Sequence, residues 1–150
     1  MEDPDGGLQA SREVRERIEA SFDRQGLMRH LGARLTRIAP GCVHIRLDSR
    51  PEVTQQHGYI HAGATSALTD SAGGYAALTL FPDDAEVLTV EYKINLLAPA
   101  TGDHLEAVGT VIRSGRTLTI CKLEAFAIRD KQRTLVAAGQ QTLFRVPGEG

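Results

Sequence analysis

The sequence lacks the features that mark membrane-spanning, secreted and nucleic-acid-binding proteins. Its 150 residues contain no run of about 18 consecutive apolar residues, which a membrane-spanning helix needs. The formal net charge is -2, so there is no basic excess for nucleic acid to bind. The opening stretch MEDPDGGLQASREV is acidic and polar and has no apolar segment typical of a secretory signal. We therefore expect a cytoplasmic protein that binds neither nucleic acid nor a membrane.

Cysteine is scarce, and metal-binding spacings are absent. Cys42 and Cys121 lie far apart and form no CxxC or Cys/His pattern, which is typical of a reduced protein with incidental thiols. His57 and His61 are four residues apart, but no Glu follows His57 as a zinc protease motif requires, and Gly58 disfavours a helix there. The prediction is a protein without a metal ion or redox cofactor.

The length suits one domain that can bury its own core. Residues 1–10 are predicted to form a flexible tail and residues 11–146 a single domain, with no internal repeat or interdomain linker. An N-terminal helix is predicted over SREVRERIEASFDRQ. Ser11 can cap this helix, and its apolar residues recur at helical spacing: Val14, Ile18 and Phe22.

Alternating apolar residues predict six strands. The first two lie in HLGARLTRIAPGCVHIRLDSR, on either side of the Pro40-Gly41 turn. Further strands are predicted in VLTVEYKINLLA, HLEAVGTVIR, TLTICKLEAFAI and TLVAAGQQTLFRV, with a hairpin turn at Ser114-Gly115. Strict alternation in VLTVEYKINLLA places Leu88, Val90, Tyr92, Ile94 and Leu96 on one face and Thr89, Glu91, Lys93 and Asn95 on the other.

The segment HGYIHAGATSALTDSAGGYAA contains the long central helix, predicted from Ala62 to Leu80 and stopped by Pro82, so the chain is α+β. At about 100° per residue, the stripe that would lie on the sheet consists of Ala64, Leu68, Ala72, Tyr75 and Thr79. Asp70 falls on the opposite face, among Gly63, Ser66, Ala67, Gly73, Gly74 and Ala77. A solvent face would carry Lys and Glu, so this face is predicted to meet a second copy of the chain. Asp70 itself either has a functional role or caps or pairs inside the fold.

A resemblance to a known family rests on the order of four features between Gln55 and Thr142. They are a His-small-Gly helix start, an Asp seven residues after that Gly, a Pro-Ala-x-Gly turn after a strand, and a Ser-Gly-Arg hairpin. In this order and spacing they resemble the hotdog-fold acyl-CoA thioesterases of the phenylacetic-acid-degradation (PaaI) type. The resemblance implies an antiparallel sheet wrapped around a central helix, with dimers that often pair into tetramers.

The resemblance also implies roles for residues at both ends of the site. Asp70 would drive thioester hydrolysis, either as a general base acting on water or as a nucleophile that forms an anhydride. The backbone amide of Ala62, with Gly63 beside it, would stabilise the oxyanion at the helix N-terminus. Many relatives have Gly at the Ala62 position, and alanine still supplies the N–H.

Polar side chains near these residues are further candidates. Gln55 stands where relatives often carry Asn, whose amide holds the carbonyl or the attacking water, and Gln56 could substitute for it. Thr89 matches a hydroxyl position that orients the water in some relatives, although it also suits an ordinary strand. His61 is expected to shape the pocket or to hydrogen-bond the backbone.

Arg113 and Arg116 flank the Ser114-Gly115 turn and could contact coenzyme A phosphates, or could simply be solubilising. Ala62 and Asp70 are eight residues apart, roughly 12 Å along one helix, which is too far for both to reach one thioester. Two antiparallel helices across a dimer axis would bring one residue from each subunit together. Two alternatives to a thioesterase remain: an acyl-CoA or aromatic-ligand binding module without turnover, and a hotdog acyl-thioester dehydratase or hydratase. The sequence leaves the acyl group open.

Overall fold

A six-stranded antiparallel sheet wraps around one central helix. The computed structural model describes residues 7–148. Its strands lie in the order β1-β2-β4-β5-β6-β3, and the central helix, α3, packs against β2, β3, β4, β5 and β6. The element bounds are α1 Arg12–Asp23, α2 Gly26–Leu31, β1 Arg34–Ala39, β2 Cys42–Asp48, α3 Ala62–Leu78, β3 Ala85–Leu96, β4 His104–Ser114, β5 Leu118–Arg129 and β6 Gln132–Pro147. This is the predicted hotdog fold, with α1 as the additional N-terminal helix.

The N-terminal helix forms where its cap and apolar spacing predict it. The Ser11 side chain accepts a hydrogen bond from the Val14 N–H at 3.3 Å, and Ile18 and Phe22 are buried. Of the predicted tail, residues 1–6 lie outside the described part of the chain. Ala10 is buried, and its N–H donates to the Ile38 carbonyl at 2.9 Å, which joins the chain to β1 before α1 begins.

The first predicted strand begins too early. His30 and Leu31 belong to the short helix α2, which buries Met28 and ends at Gly32 in the left-handed conformation. The strand β1 therefore begins at Arg34. The local reason is the glycine, because it ends the helix at a φ of 77° that other residues adopt at a cost.

Helix α3 ends two residues earlier than predicted and is buried on more of its surface. All five residues of the predicted sheet stripe are buried, but Tyr75 packs against α1, where its hydroxyl contacts Ser21 at 3.1 Å. Gly73 and Ala77 are buried as well, so the prediction that they face a partner is wrong. Gly73 instead faces β5 and β6. The remaining small residues of that face stay at least partly accessible: Gly63, Ser66, Ala67 and Gly74.

Strand β3 lies at the edge of the sheet and carries a bulge at Val90. Thr89 pairs with Leu143 and Glu91 with Thr142, so Val90 is an extra residue on β3. The predicted alternation is therefore wrong at its start. Thr89 lies on the helix side of the sheet together with Tyr92, Ile94 and Leu96, whereas Leu88 lies on the outer side with Glu91, Lys93 and Asn95.

Candidate active site

Asp70 is half-buried in the middle of α3 and is held by two strands. Its Oδ1 accepts a hydrogen bond from Thr89 Oγ1 of β3 at 2.8 Å and one from Gln141 Nε2 of β6 at 2.6 Å. Gln141 Nε2 also lies 3.0 Å from the Asp70 carbonyl oxygen and 3.1 Å from Thr89 Oγ1. The three side chains form one polar cluster, which we call the Asp70 cluster.

Two features of the fold bring the side chains of the Asp70 cluster together. The β3 bulge turns Thr89 to the helix side of the sheet. Gly73, one turn after Asp70, leaves space for Gln141, because a Cβ at Gly73 would overlap Gln141 Oε1 and lie 2.7 Å from Leu123 Cδ2. Helix and sheet can therefore approach closely enough for the amide to reach the carboxylate.

The candidate residues found by sequence reasoning do not include Gln141. This side chain is fully buried, which is unusual for an amide. A signal exists in the strand TLVAAGQQTLFRV, where alternation places Gln141 in the same row as Leu143, on the inner face of the sheet. A glutamine in that row needs a polar partner, and Asp70 is that partner.

The start of α3 forms a second group of candidate residues. His61 caps the helix, since its Nδ1 accepts a hydrogen bond from the Gly63 N–H at 2.7 Å. The Gly63 amide is therefore already used, and the His61 ring carries its proton on Nε2. Ala62 is the first helical residue, so its N–H has no acceptor within the helix. This amide is the donor that remains for a ligand.

Gln55 supports the loop before α3. Its Oε1 accepts hydrogen bonds from the backbone N–H groups of His57 at 2.6 Å and Tyr59 at 3.2 Å. With Gln56, His61 and Ala62, it lines a cavity of about 510 Å³ that is completed by the end of β3 and the residues after it. The Gln55 Nε2 has no acceptor within residues 7–148, so it remains available to a ligand.

Asp70 and Ala62 line different cavities within one chain. Asp70 and Thr89 line a smaller cavity of about 220 Å³ between α3, α1 and β3. The structure thus brings Asp70 together with Thr89, and Ala62 together with Gln55, Gln56 and His61, but it does not join the two groups. The separation along α3 is roughly 12 Å at about 1.5 Å per residue.

Arg113 and Arg116 are exposed near the β4–β5 hairpin and lie in neither cavity. In residues 7–148 no acceptor pairs with either guanidinium, so their predicted contact with phosphate stays a prediction. Within the same residues, no three His, Cys, Asp or Glu side chains gather as a metal site would require. None of the described helices has the length and apolar character needed to cross a bilayer.

Another titratable cluster lies on the outer face of the sheet. His44 Nδ1 is 3.0 Å from Glu106 Oε1. Burial disfavours the charged imidazole, but hydrogen bonds to Cys42 and Glu106 outweigh it and raise the pKa of His44 to about 9. For Cys42, burial is likewise outweighed by His44, and the pKa of the thiol is lowered. Burial alone raises the pKa of Cys121 to about 12.

Comparison with known proteins agrees with this architecture. The profile of the Thioesterase superfamily matches residues 57–134, so the chain belongs to that superfamily. A provisionally named esterase of Halobacterium salinarum is 30% identical over 137 residues, which span 86% of this chain and 89% of the relative.

Solved structures give the same result. A thioesterase family protein from Silicibacter pomeroyi is 41% identical, with a TM-score of 0.87 over 90% of this chain and 99% of its own. The PaaI protein of the E. coli phenylacetic acid degradation operon is 20% identical, with a TM-score of 0.81 over 93% of this chain and 98% of its own, a likeness of fold alone.

Proposed function

We propose that this protein is an acyl-CoA thioesterase in which Asp70 activates water. The observation that carries the proposal is the Asp70 carboxylate itself, which is oriented by Thr89 and Gln141 beside a cavity in a chain of the Thioesterase superfamily. Metal ions and redox cofactors have no part in the proposed reaction.

The proposed chemistry is general base catalysis. Asp70 accepts a proton from water while the water oxygen attacks the thioester carbon. The resulting oxyanion accepts a hydrogen bond from the Ala62 amide, whose contribution is typically about 10²–10³ in rate. When the tetrahedral intermediate collapses, the coenzyme A sulfur leaves and takes the proton from Asp70, so the products are a free acid and coenzyme A. Direct attack by Asp70 through an anhydride remains the alternative route.

Two subunits would share each site. One helix separates Ala62 from Asp70 by roughly 12 Å, whereas reacting groups must lie about 3 Å from the same thioester. Antiparallel α3 helices across a two-fold axis would bring Asp70 of one subunit to the Ala62 amide of the other. Strand β3 pairs with β6 on one side only, and this edge position supports self-association, because its Leu88, Val90 and Leu96 are about three-fifths exposed.

Further assignments follow the family. Gln55, Gln56 and His61 would shape the pocket on the Ala62 side, Gly63 would bind substrate at the start of α3, and Arg113 and Arg116 would contact coenzyme A phosphates. A cytoplasmic location and a second pairing of dimers into tetramers belong to the same proposal. The acyl group of a PaaI-type substrate, whether phenylacetyl, hydroxybenzoyl or aliphatic, is determined by testing a panel of acyl-CoA thioesters for free thiol release.

Asp70→Asn tests the central residue, because it keeps the size of the side chain and removes the base. We expect kcat to fall by about 10²–10⁴ on the best substrate of the panel. Asp84→Asn is the matched control, since Asp84 is exposed and its carboxylate has no hydrogen-bond partner in the described part of the chain. A folded Asp70→Asn protein with near-normal turnover contradicts the proposal. Binding of acyl-CoA by the wild type without any thiol release would identify a binding module instead.

Complementation tests the shared site. Ala62→Pro removes the amide at the first helical position, which tolerates proline, and His61 before it already has the extended ψ of 138° that proline requires. Ala62→Pro and Asp70→Asn proteins should each be nearly inactive alone. After random mixing, half of the dimers are mixed and each has one intact site of two, so about a quarter of wild-type activity should return. Mixed dimers as inactive as their parents would place the site within one chain.

A further inference from the structure

Both hydrogen bonds to the Asp70 carboxylate end on the same oxygen. Thr89 Oγ1 at 2.8 Å and Gln141 Nε2 at 2.6 Å both donate to Oδ1. Within residues 7–148, no group donates to Oδ2. An ionised carboxylate accepts hydrogen bonds on both oxygens, so Oδ2 keeps its full capacity for another partner.

Gln141 holds Oδ1 of the Asp70 carboxylate in place. The side chain is fully buried, and its Nε2 also contacts the Asp70 carbonyl oxygen at 3.0 Å. The opposite amide orientation would set Oε1 against Oδ1, two acceptors at hydrogen-bond distance, and is therefore excluded. Oε1 instead lies beside Gly73 and is buried without a hydrogen-bond donor in the described part of the chain. The fold therefore leaves the Gln141 Oε1 without a hydrogen bond, which costs free energy, and keeps the Gln141 Nε2 donating to Asp70.

We infer that Gln141 is a positioning residue that, together with Thr89, reserves Oδ1 of Asp70 for orientation and leaves Oδ2 to take the proton of the attacking water. The inference rests on the proposed function, because it assigns a task to each oxygen of the proposed base.

Gln141→Met tests this inference with a side chain of similar length that cannot donate. Thr89→Val removes the other hydrogen-bond donor to Asp70 Oδ1. Because Thr89 lies on an exposed strand, this variant provides a second test if Gln141→Met fails to fold. Gln140→Met is the matched control, since Gln140 carries the same side chain on the exposed outer face of β6.

The measurement is kcat and KM at one fixed pH for the best acyl-CoA of the panel. We expect Gln141→Met to lower kcat by about 10–100-fold with a nearly unchanged KM, because a hydrogen bond to a charged group is lost. A loss confined to kcat is expected of a positioning role, whereas a general loss of structure would also change KM. Thr89→Val should lower kcat in the same way, and Gln140→Met should leave kcat and KM unchanged.

Other outcomes separate the two proposals. If the wild type hydrolyses acyl-CoA and Asp70→Asn abolishes turnover, but Gln141→Met and Thr89→Val keep the wild-type kcat, the role of Gln141 is refuted and the thioesterase stands. If the wild type releases no thiol from any acyl-CoA, the thioesterase proposal fails, and the inference fails with it.

Discussion

Two adjacent glycines in α3 have opposite surroundings, and their alanine variants should therefore change stability in opposite directions. A Cβ at Gly73 would overlap Gln141 Oε1 and lie 2.7 Å from Leu123 Cδ2. Within one subunit, a Cβ at Gly74 would have Val87 Cγ1 as its nearest neighbour outside α3, at 4.0 Å, an ordinary contact distance. Replacing glycine with alanine inside a helix gains about 1 kcal/mol when nothing obstructs the methyl group.

The free energy of unfolding should fall in Gly73→Ala because Gln141 must move. Overpacking a buried site costs about 1–3 kcal/mol, and losing the hydrogen bond from Gln141 to a charged Asp70 costs about 1.5–3 kcal/mol. After subtraction of the helix gain of about 1 kcal/mol, the net loss is about 1.5–5 kcal/mol. Gly74→Ala should instead be neutral or more stable by up to about 1 kcal/mol.

Thermal unfolding, followed by circular dichroism at one fixed protein concentration, measures this difference, since the proposed self-association would make Tm depend on concentration. In a chain of this size 1 kcal/mol changes Tm by about 2–4 °C, so Gly73→Ala should unfold several degrees below the wild type. The kcat of Gly73→Ala should fall as well, because Asp70 loses a donor. If Gly73→Ala unfolds at or above the wild-type Tm, the Gln141 side chain does not fill the space beside Gly73 and the reasoning is refuted.

Three further predictions concern reactivity, pH and assembly. Iodoacetamide should label Cys42 of the folded protein well before Cys121. The reason is that His44 lowers the pKa of the Cys42 thiol, whereas burial raises the pKa of the Cys121 thiol to about 12. Equal labelling rates would contradict this prediction. The pKa of His44 rises on folding from 6.5 to about 9, so its pairing stabilises the fold fully below pH 6.5 and progressively less as pH rises through about 9. The Tm advantage of wild type over Glu106→Gln should shrink across that range, and a constant difference would count against the pair. Gly74→Arg should dissociate the proposed dimer in light scattering, whereas an unchanged mass would mean that this helix face is not the interface.

Local features of the sequence were sufficient to predict most of the secondary structure. Ser11 caps α1 and His61 begins α3 through contacts with residues two or three positions away. Such signals depend on neighbours along the chain and can be recognised in the sequence without knowledge of the fold. The Pro40-Gly41 and Ser114-Gly115 turns and the apolar alternation of the strands belong to the same class.

The candidate site was only partly accessible to this reasoning. Asp70 stands out because it is the one carboxylate in a helix of small residues, and the resemblance carried Ala62, Gln55 and Thr89. Gln141 was missed because its partner lies 71 residues earlier in the chain, and no local pattern connects a strand glutamine to a helix carboxylate.

Tertiary structure alone decided which side of the sheet and helix several of these residues face. Strict alternation turns Thr89 away from the helix, but the register of β3 against β6 inserts Val90 as a bulge and turns Thr89 towards Asp70. Gly73 was assigned to a partner-facing surface, yet it packs against the sheet, because α1 covers part of the helix surface that the sheet was expected to cover. Sequence determined which residues form strands and helices, since caps, turns and apolar periods act over a few residues. Pairing register and the angle at which a helix meets a sheet depend on contacts between distant segments, and those contacts assembled Asp70, Thr89 and Gln141 into one cluster.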